Sequence, residues 1–234
     1  MSVMPEKLTT KERIIEVAEH LFAEKGLDGT SMRDITDGAG VNLASVNYHF
    51  GSKDGLIAAV FDRHLTPLNE ARLAMLDAVE DAAGDRPPPL EKVLEAFVRP
   101  AVVCTSAPCR EGNPFLRLMG RCLSEPPAYA EKHVYPHFSN VLKRFHSAVA
   151  RAVPELPGEK VFWRLAFLAG ALHYSLHAWS MNNLPLKPDK PLDTEELVEQ
   201  LIGFGAAGIR CGAAGQVMGR PARTDACNRG LSDR

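Results

Sequence analysis

Residues 30–56 read TSMRDITDGAGVNLASVNYHFGSKDGL. Ser31 stands three residues before Asp34, the spacing of a capping box, and opens a helix whose Ile35 and Ala39 face inward. Gly40 permits the sharp turn that ends it. Asn42 then caps a second short helix from Leu43 to about Phe50. Two helices of about eight residues joined by a three-residue turn have the geometry of a helix-turn-helix.

At about 100° per residue, Val46 and Phe50 fall together on the core side of the second helix. Ala44, Ser45 and Tyr48 point away, with Asn47 and His49 on the flanks. Leu43 lies at the apolar edge, where packing and a base contact both fit. Small residues allow close approach to a groove and touch thymine methyls. An amide can pair with adenine, and Tyr, His and Lys reach phosphates. A catalytic reading of His49 finds no support, since no nucleophile–His–acid set, metal spacing or phosphate loop converges on it.

Outward from this stretch, helical periodicity dominates and no run alternates long enough to make a sheet. A helix from about Thr9 to Lys25 has Thr9 and Glu12 at capping-box spacing, a stripe of Ile14, Ala18, Leu21 and Phe22, and Gly26 as its stop. A long helix follows Gly51-Ser52-Lys53 and runs towards Ala83, with a bend expected at Pro67. GDRPPP (84–89) separates it from Leu90–Val103, and the loop CTSAPCREGNP (104–114) leads to Phe115–Ser124. Further helices read as Ala128–Val153, interrupted near Pro136, then Val161–Asn182 and Thr194–Cys211. From Gly212 the chain is polar and Gly-rich, and disorder is expected there. The fold class is all-α: an N-terminal three-helix domain over residues 1–52, a larger helical domain over 53–211, and a tail over 212–234.

The chain has 234 residues and a formal net charge of −2. Residues 1–66 hold seven Lys/Arg against ten Asp/Glu. Composition thus speaks mildly against nucleic acid, and the case rests on local geometry. MSVMPEKLTTKER lacks the apolar centre of a secretory leader. VFWRLAFLAGALHYSLHAW (161–179) is interrupted by Arg164, His173 and His177, short of the ~18 apolar residues of a membrane span. Five scattered cysteines fit a reducing cytoplasm better than a disulfide framework. Cys104 and Cys109 flank a loop proline without a further ligand at fixed spacing. His173 and His177, at i and i+4, likewise have no third metal ligand. No cofactor motif appears.

The stretch 30–56 resembles the DNA-binding domain of the TetR family of bacterial regulators, whose pattern is a capped helix, Ala-Gly-Val, a polar helix ending in aromatic-His-Phe, then Ser-Lys and Leu. The resemblance covers about residues 9–60. It implies an all-helical homodimer, not an enzyme, with double-stranded operator DNA at Arg33, Leu43, Ala44, Ser45, Asn47, Tyr48, His49 and Lys53. Many relatives carry Tyr where this chain has Asn47, so a base contact there is altered.

The last two helices carry small residues at close spacing, Ala169-Gly170-Ala171 and then Gly203, Gly205, Ala206, Ala207 and Gly208. Glycines inside a helix destabilise it by roughly 0.5–1 kcal/mol each, and close helix packing across a two-fold axis explains them. The family builds its dimer from these helices. NPFLRLMGRCLSEPP (113–127), VFWRLAFLAGALHYSLHAWS (161–180) and the recognition stretch are similar to the family branch that senses long-chain fatty acids or their acyl-CoA esters. That resemblance implies a chamber for a small apolar effector lined by Phe115, Leu118, Met119, Trp163, Phe167 and Tyr174. Arg117 or Arg121 would meet a carboxylate or phosphate. The alternative is a regulator of multidrug efflux sensing lipophilic cations, which requires buried acids; Glu95 and Glu111 are the candidates.

Overall fold

A computed structural model describes residues 8–105, 113–124, 127–180 and 192–211. The expected tail from Gly212, Cys109 and Glu111 lie outside the described residues, as do the side chains of His177 and Trp179. The described chain is helical, with no strand among its residues. Helix α1 (Thr10–Gly29) is followed by α2 (Met32–Ala39), α3 (Leu43–Phe50) and the long α4 (Lys53–Ala83). The body continues with α5 (Leu90–Thr105), α6 (Pro114–Ser124) and α7 (Pro127–Tyr129), which passes through a π-helical turn (Ala130–Val134) into α8 (Tyr135–Ala152). Helices α9 (Gly158–Ser180) and α10 (Thr194–Arg210) complete it.

Local chemistry explains the boundaries. Thr9 and Ser31 each form a full capping box, with Glu12 and Asp34 respectively. Gly40 closes α2 at φ 62°. Gly26 does adopt positive φ (80°), but it kinks α1 rather than ending it. One more turn follows, tied back by the Thr30 hydroxyl, which donates to the carbonyls of Gly26 (2.9 Å) and Leu21 (3.1 Å). Helix α4 stays helical through Pro67. The interruption expected near Pro136 is the π turn just before it, where the Tyr135 N–H reaches back to the Ala130 carbonyl, and Pro136 follows in the first turn of α8.

Two apolar cores are strung along α4. Its first half contributes Leu56, Val60, Phe61 and Leu65 to a core with Ile14 and Phe22 of α1, Ile35 of α2 and Val46 of α3. Leu118 and Cys122 of α6 and Val134 of the π turn close that same core. Leu76 belongs instead to a second core with Leu94 and Phe97 of α5, Phe145 of α8, Leu165 and Leu168 of α9, and Leu201 of α10. Each fully buried large side chain here stabilises the fold by about 1.5–3 kcal/mol. In α10, a Cβ at Gly205 would lie 3.1 Å from Leu168 Cδ1 and 3.3 Å from Leu94 Cδ1, so this glycine lets α10 close on α9 and α5. The close packing expected of Gly205 is therefore made within the chain.

Candidate nucleic-acid interface

Three sets of local bonds hold α2 and α3 at fixed orientation. Asp34 accepts the backbone N–H of Ser31 (2.9 Å) and pairs with Lys25 (2.8 Å), joining α2 to α1. The Lys25 ammonium, together with the Ser31 donors, holds the Asp34 carboxyl well below the usual carboxylate range. Arg13 Nε donates to the carbonyl of Ala39 at 2.9 Å, fixing the far end of α2. Asn42 Oδ1 accepts the N–H of Ser45 at 2.9 Å and starts α3. At its other end, a Cβ on Gly55 would collide with the carbonyl oxygen of Phe50, so the first turn of α4 packs directly beneath the end of α3.

Against that frame Val46 is fully buried and Phe50 half-buried, while the opposite side of α3 faces solvent. Tyr48 is 86% exposed and Leu43 51%; Leu43 is thus not a packing residue in the single chain. Ala44 and Asn47 are exposed beside them, and Ser45 and His49 are half-buried. The His49 ring meets Tyr48 edge-on at 5.2 Å, which fixes the direction of both. Lys53, half-buried, opens α4 three residues after α3 ends. Arg33 stands on α2 with its side chain exposed, 3.8 Å from Asp37. An exposed helix of small and polar residues with a phenol at its edge and a lysine at the next helix start can enter a groove and touch the backbone beside it.

The residues read as a ligand chamber do not converge. Phe115, Leu118 and Met119 are buried in the first core, where Phe115 stacks on His64 (4.1 Å) and meets Phe61 edge-on (6.0 Å). Arg117 and Arg121 are exposed. Trp163, Phe167 and Tyr174 are 54%, 63% and 61% exposed. The reason is angular: α9 turns Val161, Leu165, Leu168 and Leu172 inward, and residues 163, 167 and 174 fall on the opposite side. A cleft of about 610 Å³ does exist between α4 and the start of α5, lined by Met75, Val79, Ala82, Pro87 and Pro89 with Arg86, Lys92 and Glu95 at its polar part. None of the eight residues named for the chamber lines it.

Buried polar groups that the sequence reading passed over lie among the apolar cores. Glu19, Asn69, Arg72 and His133 are all under 9% exposed. Glu19 pairs with His64 at 2.8 Å, and Asn69 Nδ2 donates to the carbonyl of His137 at 2.9 Å. A signal was available: Leu65, Asn69, Arg72 and Leu76 form one helical stripe, so an amide and a guanidinium occupy core positions.

The family model described as "Bacterial regulatory proteins, tetR family" matches residues 14–60, and that described as "Tetracyclin repressor-like, C-terminal domain" matches 95–208. The chain is 49% identical over 51 residues to the HTH-type transcriptional regulator YttP of Bacillus subtilis, covering 22% of this chain and 25% of that protein. It is 46% identical over 44 residues to the HTH-type transcriptional repressor KstR2 of Mycobacterium tuberculosis, covering 19% and 22%. The matched stretch thus spans a quarter or less of these curated relatives. In overall fold it is similar to the fatty acid degradation regulator FadR from Bacillus halodurans (TM-score 0.60, 16% identity, 88% of this chain and 98% of that one). It is also similar to KstR2 of Mycobacterium tuberculosis (TM-score 0.56, 18% identity, 88% and 98%). With one model over the helix-turn-helix and another over most of the helical body, the chain belongs to the TetR family of bacterial regulatory proteins.

Proposed function

We propose that the protein is a cytoplasmic, ligand-responsive transcriptional repressor that binds operator DNA as a homodimer. Residues 1–52 form its DNA-binding domain and 53–211 its ligand-binding and dimerisation domain. The observation that carries the reading is α3: capped at one end, pressed on α4 at the other, and presenting a face the core does not use. Ala44, Ser45 and Asn47, with Leu43, read bases. Tyr48, His49, Lys53 and Arg33 hold phosphates. An exposed apolar stripe supports the dimer, formed by Trp163, Phe167 and Tyr174 on α9 with Phe204 on α10. Between these rings Gly170, Gly203 and Gly208 have nothing within 4 Å of a built Cβ, leaving room for another helix to approach. Trp163, Phe167 and Tyr174 are therefore reassigned from the effector to the partner copy.

Fluorescence anisotropy on operator variants across salt concentrations tests the DNA reading. Lys53→Ala lowers the salt slope by about one ion and Tyr48→Phe weakens all sequences alike. Asn47 substitutions change which operator is preferred. Sequence-independent binding that none of these substitutions alters would overturn it.

The effector we favour is a long-chain fatty acid or its CoA ester. The fold shared with FadR supports it, and so does the scarcity of buried acids: the buried acid among the described residues, Glu19, is already taken by His64. At about 0.8 kcal/mol per buried methylene, a sixteen-carbon chain releases DNA far below the concentration an eight-carbon chain needs. Release by a lipophilic cation instead would replace this reading with that of an efflux regulator.

A further inference from the structure

Arg72 is 4% exposed, on the side of α4 that meets α5 and α8. Its Nε donates to the carbonyl of Phe97 at 2.9 Å, and Nη1 lies 3.4 Å from Asn69 Oδ1. The guanidinium sits 4.3 Å from the centre of the Phe97 ring and 6.0 Å from that of Phe138. Burial brings its pKa down to about 10, with Cys104 opposing, so it stays charged at neutral pH. Arg33, Arg99, Arg144, Arg151 and Arg210 each have a carboxylate within 4 Å and lie at or near the surface. Arg72 has no carboxylate among the described residues. A buried charge without a counter-ion is expensive, because neutral hydrogen bonds and ring faces replace only part of its hydration.

That arrangement is incomplete in one specific way: a planar fork of donors faces an amide oxygen at long range, where a carboxylate would bind two donors in parallel. We propose that Arg72 is the seat of the effector's carboxylate, so that the protein binds the free long-chain acid and not its CoA ester. The proposal rests on the lipid reading of the effector and narrows it. A CoA ester has no carboxylate at the acyl end, and its several phosphates require several cations. Arg72 is a single cation at its end of the cleft; of the two cations at the polar part, Arg86 and Lys92, Lys92 is already paired with Glu95 at 2.8 Å. The cleft between α4 and α5 begins at Met75, one helical turn along α4 from Arg72, which does not itself line it, and continues past Val79 to Ala83 along the same helix, so a tail laid in it starts beside the buried guanidinium. Its 610 Å³ lies within the ~300–1,000 Å³ of small-molecule sites. The site also adjoins α8: Asn69, the neighbour of Arg72, holds the His137 carbonyl at the start of that helix. A carboxylate that takes the Arg72 fork competes with Asn69 and so favours a position of α8 in which the contact of Asn69 with His137 is altered, which is the condition for a shift.

The test uses the full-length protein on operator DNA, with palmitate, methyl palmitate and palmitoyl-CoA as probes, in wild type, Arg72→Lys and Arg72→Gln. In wild type, palmitate releases DNA at a concentration roughly tenfold or more below that of the methyl ester, the ratio a charge-assisted hydrogen bond provides. Arg72→Gln brings the ratio to about one by weakening the acid and leaving the ester unchanged, and Arg72→Lys keeps part of it. A merely structural arginine weakens both probes together. Equal action of acid and ester in wild type, or palmitoyl-CoA acting best, overturns the Arg72 site and leaves the lipid reading standing; that comparison needs no variant to fold. Failure of all three lipids removes the lipid reading and this proposal with it.

Discussion

Nζ of Lys132 lies 2.7 Å from Oδ2 of Asp54, joining the π-helical turn to the first turn of α4, one residue beyond Lys53. The Lys132 ammonium holds the Asp54 carboxyl below its usual value. Around this pair the body grips the DNA-binding unit at further points. Tyr129 donates to Asp28 of α1, His137 lies 3.6 Å from Asp62, and His133 lies 3.7 Å from Asp54. A movement of α8 therefore reaches the helix that supports α3 through a few discrete contacts.

Lys132→Ala removes the contact nearest Lys53. Both partners are exposed, so solvent screening leaves the melting temperature close to wild type. The expected change is in coupling: operator affinity without effector stays within about twofold, and the effector concentration for half-release rises severalfold. Paired anisotropy titrations measure both quantities. An unaltered half-release point would make the pair a surface contact with no part in the response.

Gly55→Ala puts a methyl group into the Phe50 carbonyl, which is backbone and cannot swing aside. The end of α3 must move from α4, at a loss of about 3 kcal/mol, the upper part of the range for overpacking. Urea unfolding should show that loss, with operator binding abolished even under conditions where the chain stays folded.

Phe167→Glu charges the centre of the exposed α9 stripe without touching the inward face of Leu165 and Leu168. Sedimentation velocity should then show a dimer for wild type and a folded monomer for the variant, with weakened operator binding. Gly205→Val acts differently. Its side chain meets Leu168 and Leu94 inside one chain, so the expected result is a lower melting temperature.

His133 Nε2 is buried with no hydrogen-bond partner among the described residues, and the ring stacks parallel to Phe61 at 6.4 Å. Burial, with Lys132 and His137 nearby, lowers its pKa below the ordinary imidazole value, and Asp54 only partly opposes this. Between that lowered pKa and about 6.5 the unfolded chain binds a proton that the folded chain excludes. Its contribution is therefore fully present above about pH 6.5 and is lost as the pH falls below it. Thermal melts from pH 7.5 down to pH 5.5 should show a decline that His133→Phe flattens. An identical slope in the variant would assign the decline to other groups.

The helix-turn-helix was legible because its determinants are local. Thr9 with Glu12, Ser31 with Asp34 and Asn42 with Ser45 are bonds across three residues, and Gly40 needs only its own backbone freedom to end α2. The outward face of α3 followed from helical period alone, since Val46 had to be inside. The same period showed that Trp163, Phe167 and Tyr174 share a side of α9, but a period does not say what that side meets. That was decided by α5 and α10, which take up the opposite side with Leu94 and Gly205. Arg72 and Phe97 are 25 residues apart, and Lys132 and Asp54 are 78 apart. Such contacts have no signature in spacing, because they form only when separate helices pack. The sequence by itself determined the helices, the capping boxes at Thr9 and Ser31, and the exposed face of α3. Only the tertiary structure decided which apolar faces are core, which remain exposed, and where a buried charge has no carboxylate beside it among the described residues.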